Sequence, residues 1–166
     1  MNLKKLIGPI KVVVILLMIV LGILAVYNIY SFGYRLLLGT KYAYLGGYAT
    51  HQVNEDNMAP DYKKGDMVIL KRNDVYKIDD TILYNYHGSY RLAKVVDYSN
   101  GIYTITDNLN SIEDGYTVTD EMIIGFTTET VKDFGAIYSI ITSPLSIVFF
   151  ILAIGGYFFL TLGDRG

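Results

Sequence analysis

The sequence predicts a mainly β protein, a small antiparallel β domain flanked by two transmembrane helices, on three observations. Residues 12–34 form a run of 23 without a charge, and residues 134–163 form another of 30. Between them lie short segments rich in Val, Ile, Thr and Tyr, separated by turn residues. The chain of 166 residues is 52% apolar and only 18% charged, against a usual charged share of about 25%, which excludes a disordered chain and a basic nucleic-acid binder.

Each terminal run exceeds the ~20 residues that a spanning helix needs. Residues 12–34 read as an uncleaved anchor, because the apolar run continues into Tyr27, Asn28, Tyr30 and Phe32 where a cleavable signal would have ended. Residues 134–163 read as an interfacial segment leading into a second transmembrane helix, with Ser139, Thr142, Ser143 and Pro144 near its start. Lysine and arginine concentrate on cytoplasmic flanks, and residues 1–11 carry Lys4, Lys5 and Lys11 with no acid. Residues 35–133 hold 10 basic and 15 acidic side chains, a balance that suits a translocated domain and disfavours nucleic acid. The expectation is a two-pass protein of the cell membrane with cytoplasmic tails at 1–11 and 164–166 and an extracytoplasmic β domain at 35–133. The lipid bilayer is its first partner.

Within that domain, strands are expected at 67–70, 81–86, 90–98, 102–106 and 122–131, with His87-Gly88-Ser89 and Ser99-Asn100-Gly101 as hairpin turns. Alternation in Tyr90-Arg91-Leu92-Ala93-Lys94-Val95 predicts sheets packed on one face and wet or membrane-apposed on the other. Residues 39–48, with Tyr42, Tyr44 and Tyr48, read as a connector along the bilayer surface. The absence of cysteine removes disulfides, thiolate zinc sites and cysteine nucleophiles, and two histidines make a poor metal site, so no metal or cofactor is expected.

The most informative stretch is Asn57-Met58-Ala59-Pro60, followed after four residues by Gly65-Asp66 and the apolar Met67-Val68-Ile69. It resembles the nucleophile box of the type I signal peptidases, Ser-Met-x-Pro with a Gly-Asp at that distance. Downstream, Ala93-Lys94-Val95-Val96, Asp107-Asn108-Leu109-Asn110, Asp114 and Ile123-Ile124-Gly125 follow the order of the endoplasmic-reticulum-like, Ser-His-Asp branch. The resemblance covers residues 53–126 and implies a signal-peptidase-like β domain of a serine endopeptidase family.

Carried over residue by residue, the resemblance puts Asn57 at the nucleophile, Ala93 at the base and Asn108 at the first acid, with Asp114 alone retained. An amide nitrogen is a donor without a useful lone pair, and a methyl group accepts no proton. No catalytic residue is therefore expected, and the chain reads as a pseudoenzyme. Lys94 is the obvious substitute base, but successive strand side chains face opposite ways, so with Ala93 facing the site opposite Asn57, as the resemblance implies, Lys94 faces away.

His51 and His87 read as exposed loop histidines, and Thr50, Ser89, Ser99 and Ser111 as turn or juxtamembrane hydroxyls. Glu55, Asp56, Asp61 and Asp66 read as a solvated loop around Lys63 and Lys64. A family-like substrate groove would use Met58, Pro60, Met67, Val68 and Leu92 to hold an extended segment. Three functions follow. The first is an accessory or chaperone that binds a secreted or pilin-like precursor, or its signal peptide, during export or assembly. The second is an active signal peptidase with a non-standard nucleophile or partner-supplied groups, and the third a scaffold subunit of a membrane complex.

Overall fold

The computed structural model describes residues 3–107, 115–143 and 145–162. Helix α1 spans Leu3–Leu38, 36 residues, and stops where Gly39 takes a φ of 64°, a left-handed value that ends helices cheaply only at glycine. Residues 9–38 of it are long and apolar enough to cross a membrane. Val13, Ile23, Val26, Ile29 and Phe32 on α1 are each more than 60% exposed, an arrangement that an aqueous surface disfavours.

The C-terminal apolar run is not one helix. It divides into α2, Gly135–Ile141, and α3, Leu145–Leu162. At 18 residues, α3 alone is ~27 Å long, slightly short of the ~30 Å hydrocarbon core. Ser143 makes the break, its Oγ accepting the Leu145 N–H at 3.2 Å and its carbonyl accepting the Ser146 N–H at 3.1 Å. Asn28 of α1 is buried, and its amide donates to the Ile141 carbonyl at 3.1 Å, Ser146 Oγ at 2.9 Å and its own Leu24 carbonyl at 3.0 Å. One turn and a half away, Gly22 lies against the Phe150 ring. Helices α1 and α3, with the end of α2, fall in one unit, Met1–Lys41 with Ser139–Gly166, and Tyr42–Tyr138, which takes in the start of α2, forms the other.

The second unit is built on one seven-stranded antiparallel sheet: β1 (Tyr48–Gln52), β2 (Met67–Lys71), β3 (Thr81–Tyr86), β4 (Ser89–Ser99), β5 (Ile102–Thr106), β6 (Tyr116–Thr119) and β7 (Ile123–Val131). Its spatial order is β1-β2-β7-β3-β4-β5-β6, so the last strand inserts between the second and third. His87-Gly88 (φ 49° and 86°) closes β3–β4, and Asn100-Gly101 (φ 51° and 81°) closes β4–β5. Two consecutive left-handed residues match the twist of a tight hairpin.

Strands β1 and β6 were not legible beforehand. Tyr48–Gln52 mixes Thr, His and Gln, and its signal lies in its pairing with β2, Thr50 opposite Ile69 and His51 opposite Val68. Taken as a whole, the chain is mixed α and β and not mainly β, since helices hold more of the described residues than strands do.

The expectation of one wet sheet face also fails at the centre. Ile82 and Tyr84 of β3, with Ala93 and Val95 of β4, enter a first core with Tyr103, Ile105 and Val118. Leu83 and Leu92, from the same two strands, enter a second core on the opposite face with Val68, Leu70 and Met58. Consecutive apolar residues such as Ile82-Leu83-Tyr84 are the mark of a strand covered on both sides. Inside the first core the Tyr103 hydroxyl accepts the Tyr76 N–H at 3.3 Å. Tyr103→Phe strands that buried N–H and is expected to cost about 1–2 kcal/mol, read as a shift in the denaturation midpoint at unchanged slope.

Candidate functional site

The segment that led to the family resemblance is a loop held at both ends by backbone hydrogen bonds. The Val53 N–H donates to the Asp66 carbonyl at 2.9 Å, and the Gly65 N–H donates back to the Val53 carbonyl at 2.9 Å. Gly65 adopts a φ of 97°, which lets the chain reverse into β2. At this turn the Gly135 N–H donates to the Gly65 carbonyl at 2.7 Å. A Cβ on Gly135 would stand 2.6 Å from that same oxygen, so the contact exists only because the residue is glycine.

Asp66 is the pin of this loop. Its carboxylate is 1% exposed and accepts the Lys63 N–H at 3.0 Å, the Asp133 N–H at 3.0 Å and the Lys132 ammonium at 3.1 Å. Burial alone would raise its pKa, but the two backbone donors and Lys132 outweigh it and hold the carboxyl below its ordinary value. Asp66 is therefore not part of a solvated acidic loop. Asp56 accepts the Lys64 N–H at 2.8 Å and Glu55 pairs with Arg91 at 3.3 Å, so these acids hold the loop's shape. Among the described residues, no group of three or more His, Cys, Asp or Glu is placed to hold a metal ion.

Asn57 lies half-buried, and its Nδ2 donates to the Leu92 carbonyl of β4 at 3.2 Å. Next to it, Met58 turns into the second core with 1% exposure and forms part of the wall of an open hollow of about 380 Å³. Asp61, Tyr62, Asp79, Thr81, Lys94, Thr130 and Lys132 complete that wall. Of the residues expected to form a groove, Met58 alone is on this lining. Val68 and Leu92 are buried in the second core, Met67 is buried at the start of β2, and Pro60 is exposed. The physical reason is the two-sided burial of β2 and β4, which turns residues expected to face a substrate into packing.

Ala93 and Lys94 do lie on opposite faces, but the expected facing is reversed, because the register of β4 turns Ala93 away from Met58. Ala93, fully buried, belongs to the first core, whereas Lys94 is the one that shares the hollow with Met58. Lys94 Nζ lies 2.8 Å from Asp79 Oδ1, and the hydrogen bond and charge of that carboxylate raise its pKa. A lysine acting as base must be driven the other way, so this ammonium keeps its proton and has no lone pair to offer. Thr81 stands directly opposite Lys94 in the β3–β4 register, and its carbonyl accepts from the Thr127 hydroxyl. This Thr81-Lys94 juxtaposition, with Asp79 alongside, was not visible in the sequence because 13 residues separate Thr81 from Lys94 and only the hairpin brings them level.

The other hydroxyls and imidazoles are engaged elsewhere. His51 is not in an exposed loop: it is 7% exposed on β1, with Nδ1 2.8 Å from the Tyr42 hydroxyl. His87 sits at the tip of the β3–β4 turn with its ring edge-on to Tyr86. Thr50 bonds the Tyr138 hydroxyl, and Ser89 and Ser99 stand at the two ends of β4. Asn108, Asn110, Ser111 and Asp114 lie outside the described residues.

No protein-family model matches this chain, and no curated protein matches it.

Proposed function

We propose that this chain is a membrane-anchored, signal-peptidase-like protein without proteolytic activity, which holds a secreted or pilin-like precursor during export or assembly. Two observations support the reading: at the position where the family has its serine stands a carboxamide bonded to the Leu92 carbonyl, and on the wall of the hollow Lys94 is paired with Asp79, which raises its pKa. Neither group can attack an amide bond, but an extended segment is recognised through backbone pairing and shallow side-chain pockets, which need no nucleophile. Two membrane crossings, with both tails cytoplasmic and the β domain outside, would put the β domain on the side of the membrane where exported precursors emerge. The lysines at 4, 5 and 11 and the acidic balance of residues 35–133 support that orientation.

Photo-crosslinking groups at Asp61 and Thr130, on the wall of the hollow, test the holding role in cells. Capture of exported precursors that varies with the cargo expressed is the expected outcome. Capture of one constant membrane subunit, whatever the cargo, would replace the holding role by that of a scaffold.

A further inference from the structure

Residues 39–48, expected as a connector along the bilayer surface, divide into an inward and an outward part. Tyr42 is buried, its hydroxyl 2.8 Å from His51 Nδ1, and the Tyr44 hydroxyl donates to the Ile124 carbonyl at 2.6 Å. Leu45, Gly46, Gly47 and Tyr48 then form a tight turn. The Leu45 N–H donates to the Tyr48 carbonyl at 2.8 Å and the Tyr48 N–H to the Leu45 carbonyl at 3.1 Å, with Gly46 and Gly47 at φ 61° and 85°. Backbone geometry alone makes this turn, so the flanking side chains are not needed to hold it. Leu45 is nonetheless 61% exposed and Tyr48 45% exposed.

Leu45 stands level with Tyr48 across the turn, and Tyr48 stands level with Lys71 of β2, so the three make one row. Lys71 Nζ lies 5.8 Å from the centre of the Tyr48 ring. Arg72 follows in the chain, and both bases are exposed although residues 35–133 are acidic in balance. The next pair along, Ala49 and Leu70, is 3% and 0% exposed, so the strands bury their other face here and leave this row outside.

An apolar tip, then a ring carrying a hydroxyl, then two bases is the order of groups that matches a bilayer from acyl chains outward to phosphates. The occupant follows from the chain's own course. Residues 39–44 alone separate Leu45 from Leu38, the last residue of a helix long and apolar enough to cross a membrane, and such a stretch reaches at most ~25 Å. We infer that the Leu45–Tyr48 turn docks on the phospholipid surface, with Leu45 at the acyl boundary and Lys71 and Arg72 on lipid phosphates. The inference rests on the reading of α1 as a membrane anchor and not on the holding role of the hollow at Met58.

The chain holds no tryptophan, so a single introduced indole reports one position. Leu45→Trp, Val20→Trp in α1 and Ile102→Trp at the start of β5 are each made in the full chain. They are reconstituted in vesicles of phosphatidylcholine and phosphatidylglycerol, with and without lipids spin-labelled on the upper and middle acyl chain. Leu45→Trp and Val20→Trp are expected to lose about half their fluorescence to the labelled lipids, since a side chain docked at the interface lies within 5–10 Å of the acyl boundary. Ile102→Trp, at a position 44% exposed, should lose little. Adding Lys71→Glu and Arg72→Glu should restore most of the Leu45→Trp signal and leave Val20→Trp quenched. Quenching at Val20→Trp without quenching at Leu45→Trp overturns the docking and keeps the anchor, whereas no quenching at either overturns both. Shielding of Leu45→Trp from aqueous iodide without quenching by lipid also overturns the docking, because a protein surface would then cover the turn.

Discussion

Asp66→Ala is expected to destabilise the β domain by about 3–4 kcal/mol, enough to lower its melting temperature by roughly 15–25 °C. The mechanism is the loss of three donors' common acceptor. The Lys63 and Asp133 N–H groups and the Lys132 ammonium all point at a carboxylate that is almost wholly shielded from water. Lys132 is about half exposed, so most of the loss comes from the two backbone donors and the loop they anchor. Asp66→Asn keeps one acceptor oxygen and should cost about half as much.

The same residue sets a pH dependence of definite sign. Its folded pKa lies below the ordinary value of 3.8, so the folded state releases the proton more readily than the unfolded chain does. The stabilisation is present in full above the unfolded value and is lost as pH falls from there through the lower folded value. Denaturant titrations between pH 7 and pH 2 should show this acid limb in the parent protein and a flatter one in Asp66→Asn. Equal limbs in the two proteins would mean that Asp66 does not pin the loop.

Gly125→Ala should cost about 3 kcal/mol or prevent folding, the upper end of the range for overpacking. Strand β7 passes here between two partners, with Gly125 opposite Leu83 of β3 and Phe126 opposite Lys71 of β2. An added Cβ would lie 2.8 Å from the Lys71 carbonyl oxygen and 3.1 Å from its carbon. Both obstructing atoms are backbone, so relief requires the two strands to part, and the ladder between β2 and β7 parts with them. Gly33→Ala in α1 is the control, since nothing lies within 4 Å of its added methyl. It should leave stability unchanged or slightly raised.

These two positions also mark how far the sequence could be read. Gly65-Asp66 was visible as a turn before a strand, and the hairpin turns at His87-Gly88 and Asn100-Gly101 were visible for the same reason: turn chemistry is local. The partners of Asp66 were not visible, because Lys132 and Asp133 lie more than sixty residues away and reach it only through the β2–β7 pairing. Strand β1 escaped because its Thr, His and Gln gain their setting from a neighbouring strand and from Tyr42.

At the candidate site, the alternation rule separated Ala93 from Lys94 correctly. It could not tell which of them faces Met58, because Leu92-Ala93 is apolar in sequence on both faces. The same ambiguity hid which of the expected groove residues line the hollow. Val68 and Leu92 are apolar enough to be either a substrate pocket or a core, and the second sheet face closed over them. The pairing of Lys94 with Asp79 depends on Asp79 adopting a left-handed φ of 74° before β3, a conformation that the Lys77-Ile78-Asp79-Asp80 run does not announce.

The most direct measurement is mass spectrometry of a panel of exported precursors incubated with the purified full-length chain in detergent, beside a variant carrying Lys94→Met. Precursors left intact by both proteins, over hours and at high enzyme ratio, are the expected result, because a carboxamide and a fixed ammonium supply neither nucleophile nor base. A product cut at one defined bond by the parent protein, and absent with Lys94→Met, would contradict it and make the hollow beside Met58 an active site.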